Sequence, residues 1–318
     1  MRRAATLPPE FAGLSGQVQY VQRQTMNEYS SSCPNCGGVV HRGGDWPDRF
    51  RMFTDGKIRG WCRKCEYLWF PDMADPDWRP DAAEIARRAK EAEEALQRSI
   101  EQAQNALEEL RGARRWLEYH EQMNENGRMN WNLRGLNDFW QDWWKLGYTV
   151  DFGGSASLTI PIWGYDWQVN NIKHRLLAPN GNGKYIQEKR GIPAAPFVCN
   201  PDKKTGALLV CEGEIKSMVT FATIDADTIQ VVGIPTATPN ADMIAPFLDY
   251  DPIYICPDPD TFIPPKRGAQ SAAERLAELF GRERVRLIEL PDKVDDLIVD
   301  GLLDKDGLRQ AFKRARRL

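Results

Sequence analysis

The chain has 318 residues, 42% of them apolar, with a net charge of −3. That length suits about two domains, and no apolar run approaches the ~20 residues that a membrane helix needs. Mild acidity excludes a protein that holds nucleic acid by bulk positive charge. The N-terminus MRRAATLPPEFAGLSG lacks the apolar centre of a secretory signal, which leaves the cytosol as the default compartment.

Residues 1–29 are polar with interspersed Gly and Pro, and partial disorder is expected there. Residues 30–72 hold two C-x-x-C pairs, Cys33 with Cys36 and Cys62 with Cys65. Four thiolates in two knuckles match tetrahedral zinc at a Zn–S distance of about 2.3 Å, and four protein ligands leave no open position, so the site is structural. The competing reading is coincidental pairs or a redox dithiol. Between the pairs, Arg42, Arg49, Arg51, Lys57 and Arg59 alternate with Trp46, Phe50, Phe53 and Trp61. Cations interleaved with rings suit single-stranded nucleic acid. The same rings could instead form the core of a zinc ribbon, with Trp61 and Phe53 the first candidates. His41 reads as a surface residue rather than a fifth ligand.

Residues 81–126 form a helical spacer. Apolar positions recur at Ile85, Ala89, Ala92, Leu96, Ile100, Ala103, Leu107 and Leu110, and Asp81 can cap the start. The stripe is too thin in large side chains for a self-sufficient coiled coil. About forty helical residues would span roughly 60 Å.

From residue 130 onward strands alternate with helices. LTIPIW, ALLVC, TIQVV, PIYIC and VRLIEL read as strands; IKSMVTFATI, ADMIAPFL and GAQSAAERLAELF read as helices. The fold class is α/β with a mostly parallel sheet covered on both faces. Boundaries are expected at 130–204, 205–300 and a last helix with a basic tail at 301–318. Cys211 and Cys256 end apolar runs and read as buried free thiols.

Within ALLVCEGEIK, Glu212 ends a strand. The strand PIYIC runs into Asp258 and Asp260, and VRLIEL runs into Asp292, Asp295 and Asp296. Ligands of open parallel sheets bind beyond the carboxyl ends of the strands, so these carboxylates are expected on one edge. Like charges so gathered repel unless a cation sits among them, and an oxygen-only donor set suits Mg2+ or Mn2+.

Glu212-Gly213 after one strand, with Asp258 and Asp260 after another, resembles the TOPRIM domain of topoisomerases, primases and related nucleases. With the cysteine ribbon upstream, the chain resembles a DnaG-type primase, closest to the primase half of phage primase–helicases, which carry an EGEI signature. Arg134-Gly-Leu and Leu146-Gly-Tyr148 resemble the start of the primase core. Lys173-His-Arg175 and Gly183-Lys184-Tyr185 resemble the basic motif that holds nucleotide phosphates and template. The resemblance covers residues 30–70 and 130–300 and leaves the long helix outside.

It implies a zinc ribbon followed by a TOPRIM-containing primase core that makes short RNA primers on single-stranded DNA from ribonucleoside triphosphates. Glu212 would stand at the reacting centre with Asp258 and Asp260. Asp295 would complete the magnesium set. Lys173, Arg175, Lys184, Tyr185, Lys189 and Arg190 would hold nucleotide and template. GNGKY is not a P-loop, so a helicase motor would be a separate partner, and the helix from Leu302 with the KRARRL tail is a candidate contact.

Two positions depart from the family pattern. Lys216 stands where the family has an aspartate, and Lys293 where it has the first acid of the last cluster. Three readings stand open: an ammonium replacing part of a second metal's charge, lysines pointing to solvent, or a degenerate site. A TOPRIM nuclease or topoisomerase-like enzyme, and a non-catalytic DNA-binding replisome protein, are the rival functions.

Overall fold

The structure is a computed structural model that describes residues 2–5, 11, 18–23, 26–36, 50–53, 59–62, 65, 67–69, 82–179, 183–202, 206–224, 229–264 and 269–317. The chain forms two compact units, Met1–Glu93 and Glu94–Leu318. His41, Arg42, Trp46, Arg49, Lys57 and Asp81 lie outside the described residues.

In the first unit, β1 (Arg2–Ala5), β2 (Val18–Arg23), β3 (Met26–Ser31), β4 (Phe50–Phe53), β5 (Arg59–Cys62) and β6 (Leu68–Trp69) make one sheet in that order. Every pairing is antiparallel. The polar N-terminal segment thus supplies β1, β2 and most of β3, where partial disorder was expected. Ladder bonds use backbone groups alone, so a polar strand can still pair. The core gathers Phe11, Phe50, Met52 and Trp69 around Cys33 and Cys62. Trp61 is not part of it and is 40% exposed. Side chains alternate along a strand, and Gly60 and Cys62 face inward, so Trp61 faces out. Phe53 is half-buried, with the Arg59 guanidinium 5.1 Å from its ring centre.

The helix α1 (Ala82–Ala113) ends before Arg114, whose φ of 52° breaks the spiral, and α2 (Arg115–Glu121) follows. The helix therefore does not run unbroken to residue 126. Its end is tied down: Leu110 is buried, and the Arg111 guanidinium donates to the Val169 carbonyl at 3.0 Å. Next come α3 (Glu125–Asn132) and α4 (Asp138–Trp143), capped by the side chains of Asn124 and Asn137. Trp131, Trp144 and Trp163 are buried with their indole N–H groups donated to Gly147, Cys199 and Trp144 carbonyls.

An antiparallel sheet follows, built from β7 (Gly147–Phe152), β8 (Ser155–Trp163), β9 (Val169–Leu176) and β10 (Tyr185–Gln187) in the order β10-β9-β8-β7. The run LTIPIW lies in β8, so it belongs here and not to the parallel sheet. Period two on β9 turns Lys173 and Arg175 to one face and His174 to the other. His174 is buried against Phe152, whose ring lies parallel at 3.4 Å. Its Nε2 lies 2.6 Å from Glu188 Oε2 and its Nδ1 3.0 Å from Ser157 Oγ. Tyr119 and Arg115 also donate to Glu188. Burial holds His174 below its ordinary 6.5. Burial weighs against the Glu188 charge, yet its His174 hydrogen bond and the His174 and Arg115 charges hold it below its ordinary 4.5.

Both shifts act in one direction. A group depressed in the folded state contributes stability above its unfolded value and loses it as pH falls. Thermal melts between pH 8 and pH 4 should therefore show the second unit weakening below about pH 6.5 and again below about pH 4.5. A melting temperature flat across that range would contradict this reading of the network.

The last sheet has the order β11-β13-β12-β14-β15-β16, formed by β11 (Phe197–Val198), β12 (Ala207–Glu212), β13 (Ile229–Ile234), β14 (Ile253–Cys256), β15 (Val285–Leu287) and β16 (Arg316–Arg317). The four inner strands are parallel; β11 and β16 close the edges antiparallel. Both faces are covered. Leu209, Cys211 and Val231 pack with Ile215, Met218 and Val219 of α5 (Glu214–Thr223). Leu208, Val210 and Val232 pack instead with Leu276, Ala277 and Phe280 of α7 (Ala272–Phe280), which follows the short α6 (Ala241–Ile244). Cys199, Cys211 and Cys256 are buried, and burial raises all three thiols. After α8 (Val294–Val299) and α9 (Lys305–Arg314), the basic tail is part of the sheet edge, where Arg316 pairs with Glu289 at 2.9 Å. Among the described residues no helix is long and apolar enough to cross a membrane.

Candidate active site and metal centre

In the first unit the four cysteine Sγ atoms lie within 4.8 Å of one another. Cys33 to Cys65 is 3.7 Å and Cys36 to Cys62 is 3.8 Å. A tetrahedron with Zn–S bonds of about 2.3 Å has edges of about 3.8 Å, so the cluster fits zinc. Burial pushes the Cys33 thiol up to about 12, while the backbone N–H of Tyr67 draws Cys65 down to about 6. Ionising all four together requires a cation among them.

In the second unit, chain geometry brings Glu212 to the carboxyl edge of the parallel sheet. Gly213 caps α5 with φ of 85°, a backbone state that strongly favours glycine. Beside it, a Cβ on Gly233 would lie 2.6 Å from the Gly213 carbonyl oxygen, so the two glycines let β13 approach the turn. Cys211 pairs with Cys256 across β12 and β14, which sets Asp258 just beyond the neighbouring strand. The edge opens into a cleft of about 220 Å³.

Acids line it: Glu212, Glu214, Asp295 and Asp296, together with Lys216 and Lys293. Glu212 Oε2 and Asp295 Oδ1 are buried and accept no hydrogen bond. Burial raises both carboxyls; the Asp258 charge adds to this at Glu212, and Lys216 opposes it at each. Lys216 does not point to solvent: its Nζ lies 2.8 Å from both Asp258 oxygens. Asp260 is exposed and adds its charge to the field at Glu212.

The carboxylates stop short of a closed cage. Among the described residues, only the four cysteines bring three or more ligand atoms of His, Cys, Asp or Glu within 4.8 Å of one another. Mutual repulsion keeps uncompensated carboxylates apart, and Lys216 satisfies Asp258. Mg2+ is ordinarily held by one or two carboxylates with water and phosphate oxygens, and the orphaned oxygens of Glu212 and Asp295 each offer it such a ligand.

The same cleft is rich in cations. Arg134, Lys173, Arg175, Lys184 and Tyr185 also line it. Tyr185 is the hub: Arg175 donates to its hydroxyl at 2.8 Å, and Lys173, Arg175 and Lys184 lie 5.6, 5.6 and 5.8 Å from its ring centre. Burial and the charges of Arg175, Arg134 and Lys293 depress Lys184; burial and Arg175 do the same to Arg134. Cations so crowded are relieved by an anion. Lys173 is paired with Glu214, the second glutamate of the EGE turn.

Lys189 and Arg190 do not line the cleft. Lys189 pairs with Glu109 at 2.6 Å, and Arg190 is exposed. Glu188, just before them, is held by His174, Tyr119 and Arg115 on the face of β9 opposite Lys173 and Arg175. Arg134 was not among the expected binding residues. It stands alone in sequence, and only the loop after α3 carries it to the cleft.

No family model and no curated protein matches the chain. Solved structures do. A DnaG primase catalytic domain bound to single-stranded DNA has 15% identity over 68% of this chain and 83% of its own, with a TM-score of 0.50. The zinc-binding and RNA polymerase domains of Aquifex aeolicus primase have 16% identity over 94% of this chain and 81% of theirs, at 0.49. The primase fragment of the bacteriophage T7 primase–helicase has 14% identity over 88% and 96%, at 0.44. The chain is thus similar in fold to DnaG-type primase domains.

Proposed function

We propose that the chain is a nucleotidyltransferase of primase type, which makes short RNA primers on a single-stranded DNA template. One observation carries this: two orphaned carboxylate oxygens and a crowd of cations share one cleft. A metal–triphosphate needs both at once, carboxylates for the ion and Arg or Lys for the phosphate oxygens. Glu212 and Asp295 would hold the ion, and Mg2+ or Mn2+ there supplies charge stabilisation to the attacking and leaving oxygens of an in-line displacement. Arg134, Arg175 and Lys184 draw the triphosphate in. Tyr185 keeps Arg175 aimed through its hydroxyl and, being 40% exposed, offers a ring for a base. In the first unit the outward Trp61 and the Arg59–Phe53 pair suit an unpaired template strand, and that unit would choose the start site. A DnaG domain of similar fold is bound to single-stranded DNA, which supports the choice of template. A separate replicative helicase is the expected partner.

A second reading, a DNA-binding protein without catalysis, is favoured by the ion pair between Lys216 and Asp258. Incubating the zinc-loaded chain with single-stranded DNA, labelled ribonucleoside triphosphates and Mg2+ separates them. Primase chemistry yields oligoribonucleotides only when metal is present. DNA cleavage would point to the nuclease reading. DNA binding indifferent to Mg2+, with no product, would point to the binding protein.

A further inference from the structure

We infer that Lys216 is a built-in cation, which takes the place of a second divalent ion and leaves the cleft a one-metal site. The inference rests on the reading that the cleft binds a metal. Lys216 leaves the first turn of α5 and is 16% exposed, its partner Asp258 13%. This is not a loose surface pair. The ammonium meets both oxygens of Asp258 at 2.8 Å, as a chelated ion would, so no carboxylate oxygen of Asp258 is left unshared.

The atoms left unpaired point the same way. Two carboxylate oxygens are orphaned, and both belong to the acids Lys216 does not hold, Glu212 and Asp295. Pulling Lys216 away to admit another ion would strand a buried ammonium, which is costly.

The test counts ions without using activity. The zinc-loaded chain is titrated with Mn2+ in the absence of nucleotide, and free Mn2+ is followed by its electron paramagnetic resonance. Wild type should bind one ion, and Glu212→Gln should lose it. Lys216→Asp should bind two. Lys216→Met keeps the length but removes the charge, and should bind its ion about tenfold more tightly or better. Zinc content and circular dichroism check that each variant is folded. Two ions in wild type, or one in folded Lys216→Asp, overturns the inference while the metal-dependent reading stands. Should Lys216→Asp not fold, unchanged affinity in Lys216→Met overturns it alone. No ion in any variant removes the metal-dependent reading, and the inference with it.

Discussion

Glu212→Gln should abolish Mg2+-dependent primer synthesis, by about a hundred- to a thousandfold or more, in a chain that melts no lower than wild type. The two halves of this expectation have one cause. Glu212 Oε2 is buried with no hydrogen-bond partner, and burial together with Asp258 disfavours its charge. Folding therefore gains nothing from that charge, and a neutral amide of the same shape relieves the strain. A carboxylate kept where it weakens the fold is there for a ligand. If Gln lowered the melting temperature and activity together, Glu212 would be a structural residue. If activity survived, the cleft would have another centre.

Removing zinc should have the second large effect, confined to the first unit. Of the six buried side chains that build its described core, Cys33 and Cys62 are two, and Cys36 and Cys65 pack against them. With so few apolar side chains the metal stands in for a core; structural zinc contributes an apparent ~10–16 kcal/mol at neutral pH. Calorimetry after chelation, or on Cys62→Ser, should lose the transition of residues 1–93. The transition of residues 94–318, which have two larger cores of their own, should remain. Limited proteolysis should then cut within residues 1–93. Equal resistance before and after chelation would mean that the cysteines are not a folding element.

What could be read in the sequence was whatever depends on near neighbours. The cysteine spacing announced its cluster because two short knuckles suffice to place four thiols. ALLVC, TIQVV and PIYIC announced parallel strands because buried strands are apolar on both faces, and β12 does divide Leu209 and Cys211 from Leu208 and Val210. What escaped depends on partners far away. LTIPIW reads like any buried strand, and only its pairing with β7 and β9 makes it antiparallel. Lys189 looks like part of the basic run until Glu109 claims it from α1. Trp61 looks like core until Gly60 and Cys62 take the inward positions. Lys216 read equally well as solvent-facing, as degenerate or as a replacement cation, and Asp258 lies on another strand. In each case a charge or a ring was visible and its partner was not.

The most direct measurement is anomalous diffraction from crystals of the zinc-loaded chain soaked with Mn2+ and a non-hydrolysable ribonucleoside triphosphate. The manganese peak should lie between Glu212 and Asp295, in contact with triphosphate oxygens that reach Arg134, Arg175 and Lys184. A triphosphate bound outside the cleft, or manganese bound away from both carboxylates, would contradict the proposed chemistry.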